Sequence, residues 1–225
     1  MNRRIFVIIV AGGSGQRMGA GIPKQFLPLD GKPILQRTIE RFRDALGEEA
    51  RLLVVLPGEH IDTWKGLCVR HSLDCPHSIV RGGISRYQSV RNALEKVPEG
   101  ALVMIHDGVR PFASEDLLKK MVASMDESLC RALVPVLPVT DTLRSTVEGE
   151  KAVDRSKILR VQTPQVFFSE DIKAAYRGPF ELGFTDDASV AERCGVKIKT
   201  IPGESFNIKI TTPEDMVFAE AILRQ

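Results

Sequence analysis

The sequence predicts an α/β fold in which buried strands alternate with helices about an open, mostly parallel sheet. Two observations carry this. Ile5–Val10, Arg51–Leu56 and 102–105 are largely apolar runs of leucine and β-branched residues, too short for helices. Between them apolar residues recur at helical spacing, as at Ile34, Leu35, Ile39, Phe42 and Leu46 before Gly47. With 225 residues, 43% hydrophobic and 27% charged, the chain can form one domain over 1–225 with a full core. A formal charge of +2 without a basic block argues against a nucleic-acid surface. No apolar run approaches the roughly 18 residues of a membrane span. The start, Met1-Asn2-Arg3-Arg4, leads straight into a strand, so no signal peptide is expected. Cys68, Cys75, Cys130 and Cys194 are scattered, which fits reduced thiols in the cytoplasm better than zinc or disulfides.

The first strand breaks into Ala11-Gly12-Gly13-Ser14-Gly15, where small side chains let the backbone turn sharply and approach a ligand. Successive N–H groups in such a turn make an anion-binding concavity, and Arg17 and Lys24 bring two cations to it. This suits a nucleoside triphosphate that is held and attacked; the bland alternative is a glycine-rich surface turn. The dinucleotide fingerprint needs a third glycine where Met18 stands, and no ribose-binding acid follows at the expected spacing. A P-loop needs Gly-Lys-Ser/Thr, but Lys24 lies between Pro23 and Gln25.

Further along, 59–71 reads as a helix with Ile61, Trp64, Leu67 and Cys68 on one side. His60 and His71, on or near it, read as solvated or core histidines. A short strand at 78–80 enters a second glycine turn, Arg81-Gly82-Gly83, before a helix over roughly 85–96. Arg86, Ser89 and Arg91 lie near its start, an arrangement that suits part of a nucleotide and equally a plain corner. The strand at 102–105 ends in His106-Asp107-Gly108-Val109-Arg110. Strand C-termini are where open α/β sheets place ligands, so Asp107 is a candidate for Mg²⁺ or, more plainly, a turn cap. Arg110 is a candidate for a second substrate's phosphate, and His106 reads as a structural hydrogen-bond partner.

Ser114, Glu115 and Asp116 open a helix over 114–126. The strand-like 133–139 carries Pro135 and Pro138, which predict an edge or irregular stretch. Residues 140–162 then turn polar and alternating around Glu148-Gly149, predicting a protruding β-hairpin arm outside the core. A lone two-stranded ribbon is marginal in water, so the arm is expected to pack on a second subunit. Helices follow near 169–177 and from 184 to Gly195, strands at 196–201 and 206–210, and a last helix capped by Thr212-Pro213-Glu214-Asp215.

The pattern Ala-Gly-Gly-x-Gly-x-Arg-Met-Gly followed by Pro-Lys-Gln-Phe-Leu resembles the sugar-nucleotidyltransferase superfamily. Within it the chain resembles the 2-C-methyl-D-erythritol 4-phosphate cytidylyltransferases, with motifs in order from first strand to last helix. The resemblance implies a doubly wound, Rossmann-like sheet with a β-hairpin arm exchanged across a homodimer. It implies that Arg17 and Lys24 stabilise charge at the α-phosphate of CTP. By the same resemblance Ala11, Gly12, Gly13, Ser14 and Gly15 wrap the nucleotide, with Gly83, Arg86 and Ser89 near cytosine and ribose. Asp107, beside Gly108, matches the Mg²⁺ aspartate. Arg110, Asp141, Thr142, Arg155, Thr163, Thr185 and Lys209 fall where the family surrounds methylerythritol phosphate, with Arg155 and Lys209 positioning it. Arg155 and Asp141 lie in the arm and are implied to serve the neighbouring subunit.

Gly12-Gly13, Gly108-Val109 and Arg144 depart from the commoner family pattern, and the first two also occur in ribitol 5-phosphate cytidylyltransferases. The acceptor therefore has two candidates, with Thr185-Asp186-Asp187-Ala188-Ser189 resembling the isoprenoid enzymes more closely. An NAD-dependent oxidoreductase is disfavoured by Met18. A non-catalytic nucleotide sensor would not need Arg17, Lys24, Asp107 and Lys209 together.

Overall fold

A computed structural model of the protein describes residues 3–13, 21–147, 149 and 151–225. Strand β1 (Ile5–Val10) leads through a small hairpin, β2 (Pro28–Leu29) and β3 (Lys32–Pro33), into helix α1 (Ile34–Leu46). Next come β4 (Arg51–Leu56), α2 (Ile61–Arg70), β5 (Ser78–Arg81), α3 (Arg86–Leu94), β6 (Leu102–Asp107) and α4 (Glu115–Ala123). The second half holds β7 (Ala132–Pro138), β8 (Leu143–Arg144), β9 (Ala152–Val153), β10 (Leu159–Val161) and β11 (Gln165–Phe168). It closes with α5 (Ser169–Ala175), α6 (Asp187–Arg193), β12 (Ile198–Pro202) and α7 (Pro213–Leu223).

Among the described residues the main sheet has eight strands, in the order β10-β7-β11-β6-β1-β4-β5 with β12 added on β7. β1 is parallel to both β4 and β6, and β4 to β5; β11 runs antiparallel between β6 and β7. Strand order therefore reverses around β1, which opens a crevice at the C-terminal ends of β1 and β6, where Val10 pairs with Asp107.

Alternate residues of β1 feed two cores. Val7 and Ile9 face α1 and α4 through Leu35, Ile39, Phe42, Leu118 and Met121. Phe6 and Ile8 face α3, α5 and α6 through Val90, Leu94, Ile172 and Val190. Burial on both faces explains the uninterrupted apolar run of this strand. A third cluster packs Ile34, Val109 and Phe112 against Ile210 and Ala219, docking α7 beside the crevice.

Three expectations need correction. The prolines do not confine 133–139 to an edge, because Ala132 and Leu133 pair with both β11 and β12, and Val136 with both β10 and β12. Pro135 sits where the partner changes from β11 to β10, and there its carbonyl accepts the Gln162 N–H at 2.8 Å. The segment 206–210 is not a strand; turn and side-chain hydrogen bonds replace a ladder. Finally, the hairpin β8–β9 forms its own two-stranded ribbon around Gly149, but 159–161 belongs to the main sheet as β10.

Candidate active site

The crevice holds a cavity of about 360 Å³ whose wall includes Ala11, Gly12, Gly13, Lys24, Gly83, Arg86, Ser89, Asp107 and Lys209. Nine residues predicted from separate parts of the sequence thus meet at the sheet's switch point. Ser14, Gly15 and Arg17 lie outside the described residues.

The first wall is the segment that follows β1. Ala11 extends the strand by donating its N–H to the Val55 carbonyl (2.9 Å), and its own carbonyl accepts from Gln25 Nε2 (2.8 Å). Gln25, buried beside Lys24, is a site residue that the motif reading passed over. The two lie in a single 3₁₀ turn with Phe26, which stacks on the buried Trp64 ring (centroids 5.9 Å apart, planes 10° apart). Trp64 in turn donates Nε1–H to His77 Nε2 at 3.0 Å. Gly108 lies behind this wall, where a Cβ would come within 2.9 Å of Ala11 Cβ.

The second wall is the β5–α3 corner. Gly83 donates its N–H to Ser89 Oγ (3.1 Å), and a Cβ on Gly83 would fall 1.9 Å from Gln88 Cγ, so only glycine fits. Ser85 caps α3 by accepting from the Gln88 N–H. Arg86 donates a two-pronged pair of bonds to the fully buried Asp187, at 2.7 and 2.6 Å. Tyr176 O–H donates to the same carboxylate at 2.6 Å. Burial alone would lower the Arg86 pKa, but Asp187 outweighs it and raises it. The neighbouring Asp186 caps the following helix, accepting from the Ser189 N–H.

Asp107 forms the third wall. Its Oδ2 is 3.0 Å from Lys209 Nζ and accepts from Arg110 Nε at 3.1 Å. Burial opposes its ionisation, yet Lys209, Arg110 and Arg86 together hold its carboxyl far below the usual range. Behind it, the Asp107 N–H donates to Thr163 Oγ1 (3.1 Å), and His106 Nε2 lies 2.9 Å from the Arg110 carbonyl. That carbonyl needs a donor, so Nε2 carries the proton and Nδ1 accepts from Thr163 Oγ1 at 3.1 Å. Burial pushes the His106 pKa down to about 4, which keeps the ring neutral.

The remaining predicted residues are placed elsewhere. Thr163 is buried behind Asp107 with its hydroxyl engaged, and Arg110 is held by Asp107 and the Asn207 carbonyl. Thr185 is exposed, its N–H donating to Ser189 Oγ. Asp141, Thr142 and Arg155 are exposed beside or beyond the β8–β9 ribbon and do not line the cavity; Arg155 donates to the Thr140 carbonyl.

No helix among the described residues is long and apolar enough to cross a membrane. The family model IspD, 2-C-methyl-D-erythritol 4-phosphate cytidylyltransferase, matches residues 5–225. The enzyme of that name from Bacteroides fragilis is 45% identical over 217 residues, 96% of this chain and 98% of its own. Its counterpart from Porphyromonas gingivalis is 44% identical over 226 residues, 99% of each. Among solved structures, the Thermus thermophilus enzyme superposes with a TM-score of 0.75 at 32% identity, covering 99% of this chain and 100% of that one. A 4-diphosphocytidyl-2C-methyl-D-erythritol synthase from Anaerococcus prevotii gives 0.81 at 29% identity, covering 99% of both. A site assembled from both halves of the chain, and likeness running from the first strand to the last helix, lead to one conclusion: this chain belongs to the 2-C-methyl-D-erythritol 4-phosphate cytidylyltransferase family.

Proposed function

We propose that the protein is a cytidylyltransferase that moves CMP from CTP to 2-C-methyl-D-erythritol 4-phosphate, releasing pyrophosphate, in non-mevalonate isoprenoid precursor synthesis. The observation that carries this reading is the Asp107–Lys209 pair at the switch point, sharing a cavity with the Ala11–Gly13 segment, in a chain of this family. The acceptor's phosphate monoester is already ionised near neutrality, so it can attack the α-phosphorus of CTP without a general base. Neutral His106, with both ring nitrogens engaged, is not placed to act as one. The protein's work is to align two polyanions and offset the charge that gathers between them.

Arg17 and Lys24 carry that charge at the α-phosphate in this reading, while residues 11–15, Gly83 and Ser89 enclose the nucleotide. Arg86, committed to Asp187, shapes the base side of the cavity. Lys209 and Arg110 face the acceptor's phosphate; Thr163 and Thr185 support that end. Arg155, Asp141 and Thr142 reach the acceptor from the ribbon of a second subunit in a homodimer. Arg17→Ala is expected to leave CTP binding while lowering turnover by orders of magnitude.

Asp107 would hold Mg²⁺. The fit is chemical: one buried hard carboxylate at the cavity wall, with no cluster of three His, Cys, Asp or Glu among the described residues. That suits an ion taking its other ligands from phosphates and water. When bound, it supplies positive charge to the phosphate oxygens. A cytoplasmic setting belongs to the same proposal, since the four free cysteines suit a reducing compartment.

Pyrophosphate release from CTP and Mg²⁺ tests the reading, with methylerythritol 4-phosphate and ribitol 5-phosphate offered side by side. Faster release with the former is expected. Preference for ribitol phosphate would move the protein to polyol-phosphate activation, and silence with both would leave a nucleotide-binding module.

A further inference from the structure

Lys209 is the long, half-exposed cation of the site, yet it sits on a segment with no sheet ladder to hold it. Two anchors take the ladder's place. On the C-terminal side Ile210 is fully buried and donates its N–H to the Val109 carbonyl at 3.0 Å. On the N-terminal side Asn207 is fully buried, and its Nδ2 donates to the Thr163 carbonyl at 2.8 Å. Thr163 is the residue whose hydroxyl receives the Asp107 N–H. The Asn207 carbonyl accepts from Arg110 Nη1 (2.8 Å) and Gln162 Nε2 (3.2 Å). Asn207 thus reaches the carboxylate through Thr163 by its side-chain amide, and Arg110 directly by its backbone carbonyl.

We infer that Asn207 is a positioning residue for the transfer reaction: it ties the Lys209 segment to Thr163 and Arg110 and so fixes Lys209 against Asp107. This deepens the cytidylyltransferase reading and rests on it. A second observation supports a role beyond stability. Asn207 Oδ1 is buried with no hydrogen-bond partner among the described residues, a cost that a position kept for packing alone would avoid by carrying an apolar side chain.

The test is a double-mutant cycle on pyrophosphate release, with variant folding checked by circular dichroism. Asn207→Ala is expected to lower kcat by about 10- to 100-fold with KM for CTP within about three-fold, the size of effect that misplacing a catalytic group produces. In a Lys209→Ala background the same substitution should cost less than about three-fold, because the group it positions is gone. An equal loss in both backgrounds, or no loss, overturns the inference. Should Asn207→Ala not fold, Gln162→Ala removes a side-chain donor to the Asn207 backbone carbonyl, which loosens the same segment, and must show the same dependence on Lys209. Should the wild type not turn over at all, the cytidylyltransferase reading falls. The crystal structure of the variant then decides the positioning claim: Lys209 Nζ more than 4 Å from Asp107 supports it, and an unchanged ion pair overturns it.

Discussion

Lys209 Nζ stands 3.0 Å from Asp107 Oδ2 although 102 positions separate the two residues, and this contact joins the last irregular segment to the central strand β6. The lysine faces a cavity and a carboxylate at once, so it can offset phosphate charge while keeping its place. Lys209→Ala is expected to lower kcat by about 10²- to 10³-fold, comparable to losing one donor aimed at developing charge. Steady-state pyrophosphate release checks it, and an unchanged kcat would remove Lys209 from the reaction.

His106 gives the protein a weakness in mild acid. Buried and neutral, it has a folded pKa of about 4, against about 6.5 when unfolded. The unfolded chain therefore binds more protons between these values, and stability falls as pH drops from 6.5 towards 4. The shift corresponds to about 3 kcal/mol across that window. Urea unfolding from pH 7 to 4 should show the decline, and it should be much shallower in His106→Gln.

Asp187 lies 101 positions from Arg86 and is fully buried against it and Tyr176. Asp187→Asn would leave the Arg86 charge without its partner. Arg86 is open to the cavity on one side, where water softens the loss, so destabilisation of about 1–3 kcal/mol is expected. KM for CTP should rise as well, since the β5–α3 corner loses its brace. A variant with wild-type unfolding midpoint and KM would show that the pair is inert.

The exposed ribbon makes a prediction about mixing. If Arg155 serves a neighbouring subunit, Arg155→Ala and Lys209→Ala proteins should each keep at most about 1% of wild-type activity alone. Unfolded together in equal amounts and refolded, they should recover about a quarter of wild-type activity, because random pairing makes half the dimers mixed with one intact site each. No recovery would confine Arg155 to its own chain.

How much of this could be read beforehand follows from where the forces act. Asp107 and the strand end before Ala11 were legible because an apolar run that ends in a charge or a glycine marks a strand end. The prolines of β7 misled because a proline's missing donor matters only where a neighbour needs it, and Pro135 sits at a change of partner. Residues 206–210 looked like a strand because Ile208 and Ile210 alternate; their burial is against the α7 cluster, not in a sheet. The Arg86–Asp187 pair left no local signal at all, since its partners meet only after β5, α3 and α6 are assembled.

Trp64, the chain's one tryptophan, is sealed in the core and stacked on Phe26, the last residue of the turn that carries Lys24. The protein therefore contains a built-in optical probe, shielded from aqueous quenchers and linked through one ring to the turn that brings Lys24 to the cavity wall. A nucleotide that shifts that turn will change the emission of a single, unambiguous fluorophore, so occupancy can be followed in real time without a label or turnover.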